Sequence, residues 1–179
     1  MCTRFTSGGT QTTVNPTDNT TVYMLKNGKL GKVTAAFGFA GPGGLVLNAR
    51  SETLLQKPMF APWFGTGRAV VVAQNFFEWG KDAAKTQYAF YNANNHQQPL
   101  LLAALVRYWP NGPRFVVLTT AANQSMQAIH HRMPLLLSKQ EANAWLHDEK
   151  QAEELLHKVP PPLYSKVVEK PGPQQISLL

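Results

Sequence analysis

The 179-residue chain has a single cysteine, Cys2, so no disulfide can form within it. One thiol without a partner points to a reducing compartment, and the thiol is either inert or chemical. The expected location is therefore the cytoplasm, and the nucleoid if the source is bacterial. No apolar run approaches the ~18 residues of a membrane span, so no membrane partner is expected. The first residues are polar and threonine-rich, with no apolar stretch of the kind that marks a signal peptide. A second cysteine, an H-x-x-x-H pair and carboxylates at ligand spacing are all missing, so neither a metal nor a cofactor is expected. Nucleophile-elbow, Walker A and dinucleotide fingerprints are missing too. Acidic residues are scarce: ten Asp and Glu stand against 17 Lys and Arg, a formal charge of +7. That balance suits a polyanion such as nucleic acid, and equally a basic protein with no such partner.

Thirteen prolines and 13 glycines predict many turns and short elements. "TSGGTQTTVNPTDNTT" (6–21) reads as loop. Asn27-Gly28 between two apolar-rich runs signals a type I′ hairpin. "LVLNARSETLLQKP" runs from a strand into a short helix stopped by Pro58. "RAVVVAQNFFEW", "TQYAFYN", "PLLLAALVRYW" and "RFVVLTT" read as strands. "SKQE" (138–141) is a capping box, and the helix after it places Ala142, Trp145 and Leu146 on one face. A second helix spaces Ala152, Leu155, Leu156 and Val159 along one stripe. Strands dominate, with helices at a few junctions. The pattern predicts an α+β fold, a β-rich barrel-like single domain over residues 1–170 with a flexible tail over 171–179.

Several residues carry chemical potential. If Met1 is removed, Cys2 gains a free amine two carbons from its thiol. Unperturbed, the amine titrates near ~8 and the thiol near ~8.5. Such an aminothiol serves as a nucleophile, or condenses with an aldehyde through an imine to a thiazolidine ring. Position alone favours an incidental cysteine in a frayed terminus. Glu78, in "NFFEWG", shares a strand face with Phe76, a setting that desolvates a carboxylate and suits it to proton transfer. A solvated strand-end glutamate is the other reading. His130 and His131 point oppositely if extended, so at most one of them faces a given site, and Arg132 can grip a phosphate; a plain loop pair before Pro134 is the other reading. Asn48 and Arg50 sit at a strand-to-helix junction, and Thr119 supplies a hydroxyl at a strand end.

Taken in order, "MCTRF", "NARSE", "FFEW" and "TTAANQSMQAIHHRMP" resemble the SRAP family, the SOS response-associated peptidases or abasic-site-shielding proteins. The resemblance covers residues 1–5 and 45–170. It implies a β-rich barrel with a DNA-binding cleft and a single-stranded DNA partner that contains abasic sites. It implies autocatalytic removal of Met1 and a thiazolidine crosslink from Cys2 to the ring-opened sugar, in the DNA damage response. Asn48 would position the Cys2 amine and carbonyl, Glu78 would shuttle protons, and His130 would assist at the sugar oxygens. Arg4, Arg50, Thr119 and Arg132 would hold flanking phosphates. Thr3 stands where the family has glycine, and "FGFAGPGG" replaces the usual Trp-Gly-x-x-Pro-x-Trp stretch. Phe37 and Phe39 are candidates for stacking bases in its place, or else core residues of a strand. Two other functions remain open: an N-terminal-nucleophile peptidase or amidohydrolase, and a single-stranded DNA-binding module without chemistry.

Overall fold

The computed structural model describes residues 2–81, 83 and 85–168. The tail expected over 171–179 lies outside the described residues, as does Met1. The chain opens with β1 (Arg4–Ser7), β2 (Thr13–Val14), β3 (Asn19–Lys26) and β4 (Lys29–Phe37). β3 and β4 turn at Asn27-Gly28, where both residues have positive φ, 51° and 73°. Only such a turn matches the twist of the flanking strands, and glycine takes it without strain. β5 (Phe39–Gly41) and β6 (Gly44–Val46) form a separate small hairpin, followed by β7 (Asn48–Arg50). A 3-10 turn at Ser51–Gln56, another at Ala61–Trp63 and the one-turn α1 (Phe64–Gly67) lead into β8 (Arg68–Trp79). Then come β9 (Gln87–Asn92), β10 (Leu100–Trp109), β11 (Gly112–Ala121), β12 (Arg132–Pro134) and β13 (Leu136–Leu137). Helices α2 (Lys139–His147) and α3 (Glu149–Leu155) precede β14 (Leu163–Val167).

Five strands close a ring. β3 pairs with β4, β4 runs parallel to β11, β11 pairs with β10, β10 with β8, and β8 back to β3. Closure leaves these strands with no open edge. β8 is long enough to leave the ring. Its first half pairs with β10, and its second half pairs with β1 and β9. β14 adds to β9, so an extension of the sheet grows from the barrel wall.

Alternation along the strands makes two cores. Val22, Val33, Val71, Leu102 and Val117 fill the barrel. Phe37 stacks on Phe115 at 5.0 Å with Phe5 edge-on at 5.6 Å. The opposite faces of β8, β10 and β11 carry Val70, Leu105 and Val116, which pack under Trp145, Leu146 and Leu156 of the helical layer. Trp145 donates its indole N–H to the Ala69 carbonyl at 2.9 Å, so its one polar atom is satisfied. α2 starts at the expected capping box, with Ser138 and Glu141 exchanging backbone bonds.

Three expectations change. Residues 6–21 are not wholly loop: Thr6-Ser7 of β1, β2 and the start of β3 lie within them. They pair with long neighbouring strands rather than follow an apolar pattern of their own. Phe37 and Phe39 are fully buried, and Phe39 packs on Trp109 at 4.8 Å, so neither is available to stack a base. Val159 is 76% exposed, because α3 ends at Leu155 and the apolar stripe stops with it.

Candidate functional site

β4, β8 and β11 run in the same direction, since β8 and β4 are both antiparallel to β3 while β4 is parallel to β11. Their C-terminal ends therefore define one mouth of the barrel. Asn48 and Arg50 of β7 lie alongside β11 opposite Val117 and Thr119. Paired residues share a face, so Asn48, Arg50 and Thr119 continue the barrel's inner face outward. Glu78, two residues after core Phe76, arrives at the same mouth from β8. Arg4 faces Phe77 across β1 and β8, which brings Cys2 beside the end of β8.

Cys2 is buried within the barrel core. Burial pushes its thiol up to about 12, and the negative charge of Glu78 adds to the effect. Asn48 Nδ2 donates to the Cys2 carbonyl at 2.9 Å and fixes the main chain beside the thiol. Asn48 Oδ1 is buried and has no hydrogen-bond partner among the described residues. Glu78 is 5% exposed, and its Oε1 accepts from the Trp79 amide at 3.3 Å. The site thus holds a protonated thiol, a carboxylate and an amide oxygen with spare accepting capacity.

His130 stands two residues before β12. Its Nδ1 lies 3.0 Å from the Arg132 amide nitrogen and 3.1 Å from the Arg132 carbonyl oxygen, so the ring is held against the main chain of that residue. His131 stacks beside it at 4.5 Å. His131 is held below the usual histidine range by desolvation first, then by the cationic neighbours His130, Lys81 and Arg132.

The four residues expected at phosphates divide into two pairs. Arg50 is exposed, and Arg4 lies half-buried over the Phe77 ring at 4.6 Å with its Nη2 on Gln87 Oε1 at 2.6 Å. Arg132 and Thr119 point inward and are buried. Arg132 binds both carboxylate oxygens of Glu52 and donates Nη2 to the Thr119 carbonyl at 2.6 Å. Its charge is committed within the protein, so this pair shapes the mouth. Sequence reasoning assigned no role to Glu52 or Gln87. Glu52 stands in the "NARSE" segment, but its partner lies 80 residues away. Nothing in the sequence marks Gln87.

Among the described residues, no three His, Cys, Asp or Glu side chains come together as a metal site. No described helix is long and apolar enough to cross a membrane.

Fold and site define a class: a small closed barrel with a helical layer, whose mouth holds a buried cysteine near the start of the chain with an asparagine and a glutamate. Residues 7–170 match the family described as SOS response associated peptidase (SRAP), and the chain belongs to that family. It is 36% identical over 118 residues to the abasic site processing protein YedK of Escherichia coli strain K12, covering 62% of this chain and 52% of YedK. It is 30% identical over 148 residues to the abasic site processing protein YoqW of Bacillus subtilis strain 168, covering 75% of this chain and 65% of YoqW. The chain thus spans only half to two thirds of these relatives. A crystal structure of a phage-related protein from Bordetella bronchiseptica superposes with a TM-score of 0.75 at 22% identity, over 89% of this chain and 82% of that one. That likeness concerns the fold.

Proposed function

We propose that this protein senses abasic sites in single-stranded DNA and captures them covalently through Cys2, in the DNA damage response. The observation that carries the reading is the Cys2–Asn48–Glu78 arrangement at the barrel mouth, in a chain whose relatives are named abasic site processing proteins. Removal of Met1 frees the Cys2 amine. That amine adds to the C1′ aldehyde of the ring-opened sugar, and loss of water gives an imine. The thiol then adds to the imine carbon, its proton passes to nitrogen, and the thiazolidine ring closes. Aldehyde and aminothiol become thiazolidine and one water, with no oxidant or reductant.

Each residue has a task in this scheme. Asn48 holds the Cys2 carbonyl and offers Oδ1 to the freed amine. Glu78 accepts and returns the protons of carbinolamine formation and dehydration. Burial raises the Cys2 thiol pKa with Met1 in place, and in this scheme the thiol stays protonated until the imine forms beside it. Glu78 is placed to take its proton at that moment. His130 assists proton transfer at the sugar oxygens. Arg4 and Arg50 hold the flanking phosphates, and Arg132 with Thr119 keeps the rim in shape for them. The peptidase activity in this reading is the chain's own loss of Met1.

The test uses an oligonucleotide whose uracil has been removed by uracil glycosylase. The protein should give a slow-migrating adduct on a denaturing gel, and Cys2→Ala should abolish it. Glu78→Gln should retain Met1 by intact mass and form adduct at least ~100-fold more slowly, the usual scale of a lost general acid–base. Protein with a free Cys2 amine that gives no adduct would sink the proposal.

A further inference from the structure

The sheet extension formed by β1, β8, β9 and β14 carries a row of rings that the capture chemistry leaves unused. Asn75, Phe77 and Trp79 face away from the barrel core, opposite to Phe76 and Glu78. Across the strands, Arg4, Phe77, Ala89 and Lys166 stand in register. Ala89 is the one small side chain in that row, so it leaves a notch between larger neighbours. The notch has a volume of about 240 Å³, with Phe77, Tyr91 and Lys166 among its walls. A second hollow of about 170 Å³ lies on the other side of Phe77, bounded by Arg4, Trp79 and Gln87. Further along the same face, His96 stacks on Tyr164 at 4.0 Å and 15°. Trp79 is 48% exposed and Tyr164 42% exposed.

Large rings left in water on one contiguous face call for an occupant. The chemistry here is rings alternating with cations: Trp79, Arg4 over Phe77, the notch, then Lys166 and Tyr91. That alternation matches a single strand of nucleic acid, whose bases stack on rings while its phosphates meet Lys and Arg. A duplex offers no free base faces to such a wall. The face lies on the reverse side of β8 from Glu78, and it adjoins the proposed capture site through Arg4, two residues from Cys2. The notch lies about 10 Å from Arg4, two inter-strand spacings.

We propose that the Ala89 notch is a nucleobase subsite for the unpaired strand flanking the lesion. Phe77 and Tyr91 are its stacking walls, and Lys166 meets the adjoining phosphate. The inference rests on the DNA-directed reading of the Cys2 site, and its test has a readout that needs no crosslink.

Ala89→Leu fills the notch without removing a ring or a charge. Lys166→Ala changes an exposed residue and gives a second variant of unaltered packing. The probe is an undamaged oligothymidylate of about ten nucleotides, within the site sizes of single-strand binders. Its affinity is read by fluorescence anisotropy on the full chain. Ala89→Leu should weaken binding about tenfold or more, the range expected for one lost base stack. Lys166→Ala should lower the slope of log affinity against log salt by about 0.7. On a long abasic oligonucleotide at limiting protein, Ala89→Leu should slow adduct formation by the same factor. On one trimmed to about a single nucleotide each side, the variant should match the wild type. Unchanged oligothymidylate affinity in both variants would overturn the subsite. So would an equal slowing on long and trimmed substrates. A notch-dependent affinity with no adduct from any substrate would remove the capture reading and leave the subsite standing.

Discussion

Arg132 is buried with its guanidinium on Glu52 and the Thr119 carbonyl, and this sets the value of Glu52. The Glu52 carboxyl is held below the usual carboxylate range, first by the hydrogen bonds from Arg132. A folded-state pKa below the unfolded value of about 4.5 gives stability that is present above that value. It is lost as pH falls through the folded value. Glu52→Ala leaves the Arg132 charge buried without its partner. Stranding a buried charge costs ~3–5 kcal/mol, but the Glu52 side chain is 40% exposed and its contribution is screened. The expected loss is therefore about 1–2 kcal/mol at neutral pH. Urea midpoints should show the gap between wild type and variant closing below the ordinary carboxylate range. A gap that stays constant into acid would rule out the ion pair as its source. The contrast with Cys2, Asn48 and Glu78 explains what the sequence made legible at this scale. Those three stand in short motifs whose chemistry is local: an aminothiol, an amide, and a carboxylate on an apolar strand face. The inward turn of Arg132 depends on Glu52, 80 residues away, and no local pattern encodes that pairing.

Elements were legible where a long periodic run carried its own boundaries. The Asn27-Gly28 hairpin, the twelve residues of β8 and the β10–β11 pair are of this kind. So is α2, because the capping box names its first turn and Trp145 names its buried face. The short strands β2, β12 and β13 were not legible as strands, and β7 was legible only as the end of the strand expected in "LVLNAR". At that length there is no alternation to read, and such segments exist only because a longer strand offers hydrogen bonds beside them. β7 shows the consequence for function. Its three residues hold Asn48 and Arg50 in place only by pairing with β11. The capping box gives a clean test at this scale. Ser138 accepts from the Glu141 amide at 3.2 Å, and Ser138 N–H donates to the Glu141 carboxylate at 2.7 Å. Ser138→Ala should cost about 1 kcal/mol, which lowers the melting temperature of a chain this size by ~2–4 °C. Calorimetry showing no change would mean that Trp145 packing alone holds α2.

At the scale of the whole molecule, composition and pattern pointed to a β-rich barrel with few helices. The closure itself was hidden, since it depends on the parallel contact of β4 with β11 between residues far apart in sequence. Closure matters because it gathers β1, β7, β8 and β12 at one rim, where the chemistry converges from four distant segments. It also sets basic residues at different places around the barrel. Arg4 and Arg50 lie at the mouth, whereas Lys29 sits at the opposite end of β4 beside the hairpin turn. If a single strand crosses the mouth, each arginine that neutralises a phosphate contributes about −0.7 to the slope of log affinity against log salt. Arg4→Ala and Arg50→Ala should each make that slope shallower by about 0.7 with undamaged single-stranded DNA. Lys29→Ala removes the same charge from the far end and should leave the slope unchanged. A uniform change in all three variants would mean that the net charge acts as a diffuse field and the mouth has no privileged track. A change confined to the two arginines would place the DNA across the rim that holds Cys2.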